Sequence, residues 1–242
     1  MMLKPSVSQY LVAHRGNSAH APENTLSAIQ SALDNDILHI EIDLQLTSDD
    51  VIIVMHDDSV DRTTDGNGTI NNMSCAEIAM LDAGINFSKE FAGEKVPKLT
   101  DVLHTVNNTD CTLFLEVKNP SRYPGFADRL NETIKEYEGS NKIVVISFDQ
   151  EWLNEFKQIN PKTQVGKICL WTGRTSAIKE MTTIHVHWLS VILDPTLVYR
   201  VHKNGQQLIA WTVNNNLIIR VLLKLGVDGI TTDNPITATT VL

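Results

Sequence analysis

The 242 residues are 42% hydrophobic and 20% charged, a balance that supports a packed core and excludes a disordered chain. With 20 basic and 29 acidic side chains the net charge is −9, so the chain repels nucleic acid overall and must hold any phosphate through a local positive site. No stretch approaches the roughly 20 apolar residues that cross a bilayer, which excludes a transmembrane anchor.

In chain order, Tyr10–Ala13 (YLVA) is expected as a buried strand. Pro22 and Asn24 then open a helical pattern with Leu26, Ile29 and Leu33 on one face. Leu38–Leu44 (LHIEIDL) alternates strictly and predicts a strand, as does the apolar run Val51–Met55. Ser74 and Glu77 have the spacing of a capping box ahead of Ile78 and Leu81. A short helix is expected from Thr100 to near Asn107, and a strand over Leu113–Val117. Phe126, Leu130 and Ile134 line the next helix, and Ile143–Phe148 the next strand. Asp149 is placed to cap a helix that buries Trp152, Phe156 and Ile159. Further strands are expected over Gln164–Leu170, Trp188–Leu193, Leu208–Val213 and Asp228–Thr231. Helices are expected over Pro195–Lys203 and Asn216–Leu225, the latter stopped by Gly226.

Too few residues separate the second and third strands for a parallel crossover, so Val51–Met55 reads as the return arm of a hairpin. Eight strands remain, mostly separated by helices. That rhythm predicts an α/β fold, a TIM (β/α)8 barrel in one domain spanning 1–242, with a small insertion within about 47–111.

In such a barrel, chemistry gathers at the C-terminal strand ends. Here those ends carry His14 and Arg15, Glu41 and Asp43, His56, and Glu116 with Lys118. Alternation alone leaves Glu41 and Asp43 on either a solvated face or an inward one. In a closed barrel the apolar set Leu38, Ile40, Ile42 and Leu44 packs outward against helices, which turns His39, Glu41 and Asp43 inward. Buried carboxylates need balancing positive charge, and three oxygen donors without a thiolate suit Mg²⁺ or Ca²⁺, with Mn²⁺ a further candidate. Imidazole transfers protons near neutral pH, so His14 and His56 could divide the two proton transfers of phosphodiester cleavage. Arg15 and Lys118 offer fixed charge for phosphoryl oxygens, or neutralise the carboxylates, or both. His185 and His187 could pair as ligands if they lay on a strand, but they lack a third partner nearby and are expected to be structural.

The chain resembles the glycerophosphodiester phosphodiesterases over nearly its full length. The resemblance lies in LVAHRGNSAHAPENTLSAI, HIEIDLQLTSDDVIIVMHDDSVDRTTDGNGTI, VPKLTDVL, LFLEVK, VVISFD, LIAWTVNN and GVDGITTDNP, in that order. It implies a TIM barrel with a small insertion. His14 and His56 match the family's acid/base pair, and Glu41, Asp43 and Glu116 its metal carboxylates. Arg15 and Lys118 match its phosphate contacts, and Trp211 an aromatic wall of its pocket. Glu23 and Asn24, in PENT, are expected as supporting residues; Arg62 is expected to tie its glycine-rich loop to the barrel. Asp50 stands where the family usually has Gly, and Asn35-Asp36-Ile37 where it often has Gly-Ala-Asp. Local turn geometry is in question at both.

The implied reaction is metal-dependent hydrolysis of a glycerophosphodiester to glycerol 3-phosphate and an alcohol. The alternatives are a lysophospholipase D-like phosphodiesterase and a silent ligand-binding relative. The expected partner is a small-molecule diester, not nucleic acid; a homo-oligomer is compatible with the sequence. Met1 to Gln9 lacks a signal-like apolar run, and Cys75, Cys111 and Cys169 are far apart and odd in number. Both features make the cytoplasm the expected compartment.

Overall fold

The computed structural model describes residues 9–137, 142–170 and 180–242. The expectation for the polar start falls almost wholly on Met1–Ser8, outside the described residues. Strand β1 (Tyr10–His14) leads through helix α1 (Leu26–Leu33) to β2 (His39–Leu46), and β3 (Ile52–Val54) returns antiparallel to β2. After a short α2 (Cys75–Ile78), the chain re-enters regular β/α order. α3 (Leu99–Val106), β4 (Thr112–Val117), α4 (Phe126–Lys135), β5 (Ile143–Ser147), α5 (Gln150–Ile159) and β6 (Gln164–Cys169) follow in turn. β7 (Thr183–His187), α6 (Trp188–Leu193), α7 (Thr196–Lys203), β8 (Gln207–Trp211), α8 (Asn216–Leu225), β9 (Gly229–Thr232) and α9 (Pro235–Ala238) complete the chain. β1 pairs in parallel with both β9 and β2, so eight parallel strands close into a barrel and β3 hangs on β2 as a ninth.

Closure sorts the strand alternation. Ile40, Ile42, Leu44 and Leu46 of β2 join the outer core, packed with α1 and α3 residues such as Ile29, Leu99 and Val102. Each such fully buried side chain contributes roughly 1.5–3 kcal/mol relative to exposure. A separate inner cluster of Val12, Phe114, Val144, Ile146, Ile168 and Ile209 fills the barrel. Toward its N-terminal end, Tyr10 stacks on His39 with centroids 4.1 Å apart, and Phe114 meets His185 edge-on. Gly166 is required there, because a Cβ would lie 2.1 Å from Thr183 Oγ1. The irregular stretch between β3 and α3 has its own small core of Met55, Val60, Ile70, Ile78 and Val96, seated on Ile53 of β3.

The local signals mostly hold. Ser74 and Glu77 form the capping box, Asp149 accepts from Trp152 N–H, and Gly226 ends α8 at φ +91°. Asp50 and Asp36 both adopt φ +59°, the left-handed region that Asp tolerates better than most residues. The turn at Asp50 therefore has the geometry that glycine would supply.

One element is corrected. Trp188–Leu193 is helix α6, not a strand, and the seventh barrel strand is Thr183–His187. Its Ile184 and Val186 are buried in the outer core while Thr183 pairs with Gly166 and Gln207. In α6, Ser190 and Val191 are buried while Leu193 is exposed, a one-sided burial that six consecutive residues cannot reveal by periodicity.

Candidate active site

The strand register assembles the site. His14 at the end of β1 is level with Glu41 of β2, and Asp43 of β2 is level with Glu116 of β4. Glu41, Asp43 and Glu116 are all buried, and an oxygen from each lies within 4.8 Å of the other two. Lys118 Nζ is 3.0 Å from Asp43 Oδ1 and 2.5 Å from Glu116 Oε1. Arg15 Nε is 3.2 Å from Asp43 Oδ2, and the Arg15 amide donates to Glu41 Oε2 at 3.1 Å. Asn24 donates its amide to Asp43 Oδ2 and accepts from the Asp43 N–H. With Asn24 so committed, the cap of α1 is the next residue, Thr25.

Electrostatics separates the three carboxyls. Burial pushes Glu41 well above the usual carboxylate range, and Asp43 and Glu116 push it further. Glu116 is raised first by burial and then by Asp43. Burial also opposes ionisation of Asp43, but Lys118 and Arg15 outweigh it and hold that carboxyl below its ordinary value. Burial disfavours the Lys118 charge as well, yet Asp43 and Glu116 together raise it. Glu41 Oε1 is buried without a hydrogen-bond partner. Three buried carboxylates thus face two cations, one of which is shared with Glu23. A hard divalent cation fits this donor set: it supplies the missing charge, and the unpartnered oxygen is a free ligand atom.

Each histidine is held by a carboxylate on Nδ1. His14 donates to Asp233 Oδ1 at 2.6 Å, which leaves its Nε2 on the Glu41 side, 4.0 Å from Glu41 Oε2. His56 donates to Asp57 Oδ1 at 2.6 Å. Burial lowers the His56 imidazole, partly offset by Asp43 and Asp57. Arg62 grips Asp57 through Nε at 2.6 Å and Glu23 through both terminal nitrogens at 2.8 Å. Its hydrogen bonds draw the Asp57 carboxyl down to about 2. Glu23 accepts from Arg15 in turn, so an unbroken chain of ion pairs joins the loop carrying His56 to the loop carrying Arg15. Arg15 itself sits at φ +59° and is followed by Gly16 at φ +79°, where a Cβ would lie 2.7 Å from Ala28.

These groups open on one cavity of about 240 Å³, lined by both histidines, Arg15, Glu41, Glu116 and Lys118. Asp43 lies beneath it, fully buried. The cavity's other flank is apolar: Ile146, Phe148, Ile168 and Trp211. Trp211 meets Phe148 edge-on at 6.0 Å and His187 at 5.7 Å. All eight residues matched from the sequence to catalytic, phosphate, pocket-wall and metal roles therefore lie in or directly under one cavity. His185 lines its floor without a ligand set around it among the described residues, and its Nε2 bonds to Thr183 Oγ1.

Three supporting residues escaped sequence reasoning. Asp233 holds His14, Asn214 donates to Asp233 Oδ2 at 2.6 Å, and buried Gln45 donates to the His56 and Asp57 carbonyls. Asp233 and Asn214 lie inside TTDNP and WTVNN, segments that carried the resemblance without a role. Gln45 continues the inward face of His39, Glu41 and Asp43 by the same two-residue step.

The comparisons with known proteins agree with this geometry. Residues 14–237 match the glycerophosphoryl diester phosphodiesterase family. A glycerophosphodiester phosphodiesterase of Caldanaerobacter subterraneus subsp. tengcongensis is 36% identical over 230 residues, 93% of this chain and 94% of its own. An Oleispira antarctica phosphodiesterase, solved in complex with the product sn-glycerol-3-phosphate, is similar at TM-score 0.90 and 26% identity, covering 97% of this chain and 96% of that one. A glycerophosphodiester phosphodiesterase of Agrobacterium tumefaciens is similar at TM-score 0.82 and 25% identity, covering 96% and 99%. The ordered motifs, the closed barrel and the match along most of the sequence have one reading: the chain belongs to the glycerophosphoryl diester phosphodiesterase family, a family of phosphoric diester hydrolases.

Proposed function

We propose that this enzyme hydrolyses a glycerophosphodiester, such as glycerophosphocholine or glycerophosphoethanolamine, to sn-glycerol 3-phosphate and the free alcohol. The observation that carries the reading is the convergence of two carboxylate-held imidazoles, two cations and a buried acidic trio on one cavity. The relative solved with sn-glycerol-3-phosphate supports the same product.

The chain's own groups divide the work. Arg15 and Lys118 hold phosphoryl oxygens and offset charge as it develops. His14 and His56 transfer the protons, one taking a proton from the attacking oxygen and the other giving one to the departing alcohol. Asp233 and Asp57 fix the two rings with Nε2 free, so neither ring must be oriented during the reaction. Trp211 and Phe148 form an apolar wall for the carbon face of the glycerol. Glu41, Asp43 and Glu116 would hold Mg²⁺, Ca²⁺ or Mn²⁺, which when bound supplies Lewis-acid stabilisation of the phosphoryl group.

Phosphorus NMR of a diester panel, with metals added singly, tests the reading. Glycerol 3-phosphate should accumulate with each diester consumed, and protein stripped of metal should be silent until a divalent cation is restored. Release of a lysophosphatidic acid from a lysophospholipid, with no glycerophosphodiester cleaved, would replace this substrate class by the lipid one.

A further inference from the structure

A second groove of about 510 Å³, lined by polar side chains apart from Ala19, adjoins the site and shares His14 and Arg15 with the catalytic cavity. Its remaining lining includes Ser18, Ala19, Asn214, Asp233 and Asn234. None of the acidic trio reaches it, and among the described residues its lining has no Trp, Tyr or Phe and no aliphatic side chain larger than Ala19. From these features we infer that the groove is the subsite for the leaving alcohol and takes headgroups that donate hydrogen bonds, a primary ammonium or a polyol, in preference to a quaternary ammonium. The inference rests on the glycerophosphodiester reading above and names the alcohol arm that reading leaves open.

A phosphodiester sends two arms away from phosphorus in different directions. The glycerol arm carries the hydroxyls that would approach Glu41 and Glu116, and both line the first cavity. The groove that meets the phosphate position at His14 and Arg15 gives the second arm room on the side away from the acidic trio, whereas the other groove at the site, of about 430 Å³, adjoins Glu116 and Lys118 and lies on the side of the trio. Hydrogen-bond acceptors in the groove are well supplied. Asp233 keeps 38% of its side chain exposed, and its direct partners are His14 and Asn214, neither a permanent cation. Ser18 spends its proton on the His14 carbonyl at 2.8 Å, which leaves its oxygen as an acceptor. Glu23, also in the lining, is already neutralised by Arg15 and Arg62 and adds little. An ammonium or hydroxyl headgroup can donate to Asp233 and Ser18. A trimethylammonium group cannot donate, finds no Trp, Tyr or Phe face to sit against, and would strip water from both acceptors without replacing it.

Steady-state kinetics with three diesters tests this. The wild-type kcat/KM for glycerophosphoethanolamine and glycerophosphoglycerol should exceed that for glycerophosphocholine by about tenfold or more. Ala19→Leu, which fills the groove, should lower the first two values by about tenfold while inhibition by sn-glycerol 3-phosphate stays within about twofold. Equal rates on all three diesters would overturn the headgroup assignment. So would an Ala19→Leu enzyme that loses product inhibition in step with turnover, since the groove would then be holding the glycerol arm. Cleavage of none of the three would sink the diesterase reading itself.

Discussion

His14 and His56 are each anchored through Nδ1 by a carboxylate at 2.6 Å, so the working nitrogen of both rings is Nε2. Truncating either ring removes a proton-transfer group but leaves Arg15, Lys118 and the acidic trio intact. His14→Ala and His56→Ala should each lower kcat by a factor on the order of 10² or more, with binding of sn-glycerol 3-phosphate largely kept. Near-normal turnover by either variant would refute the assignment. Glu41 has the unpartnered oxygen and the strongest upward pressure on its carboxyl. A cation bound there stabilises the fold by mass action, so thermal midpoints should rise with added Mg²⁺ or Ca²⁺. Glu41→Gln should abolish that rise, whether or not it retains activity. An unchanged metal-dependent shift in the variant would place the ion elsewhere.

Between elements, the informative contact is the Arg62 clamp. Exposed ion pairs taken singly contribute little, about 0–1 kcal/mol. Arg62, though, bridges Asp57 beside His56 and Glu23 beside Arg15, so its loss frees two loops at once. Arg62→Ala should cut kcat by between about tenfold and a hundredfold, because small displacements of aligned groups are costly. Its thermal midpoint should fall only modestly. The capping box of α2 offers the opposite case. It lies at the exposed start of α2, whose Ile78 packs in the small core between β3 and α3, and its hydrogen bonds involve none of the described groups of the site. Ser74→Ala should cost about 1 kcal/mol in urea unfolding and leave kcat unchanged.

For the molecule as a whole, the two buried imidazoles of the barrel interior make acid destabilising. Burial lowers His185 to about 3 and His39 to about 4. In the unfolded chain both imidazoles take up protons near 6.5. Between those values the unfolded state binds more protons, so stability is full above about 6.5 and falls as the pH drops toward 4 and 3. The raised carboxyls of Glu41 and Glu116 act in the opposite sense, so the contribution of His185 is read by difference: as the pH falls from 8 to 5, His185→Gln should lose less thermal midpoint than the wild type. An identical slope in the variant would remove His185 from the account.

What the sequence determined by itself is local or ordered along the chain. The alternation of β2 marks its two faces, the caps at Ser74, Asp149 and Gly226 mark helix ends, and the motif order marks the family. These signals survive in one dimension because they depend on neighbours a few residues apart. What tertiary structure alone decided depends on closure. Pairing of β1 with β2 sets His14 level with Glu41, and pairing of β2 with β4 sets Asp43 level with Glu116. The reach of Asp233 to His14 spans 219 positions of sequence. The strand at Thr183–His187 was hidden for the same reason: the apolar run beside it looks more strand-like, and only pairing with β6 and β8 selects between them. An inward charged face is costly in isolation, and it becomes favourable only when a closed barrel brings the opposite charges to it from other strands.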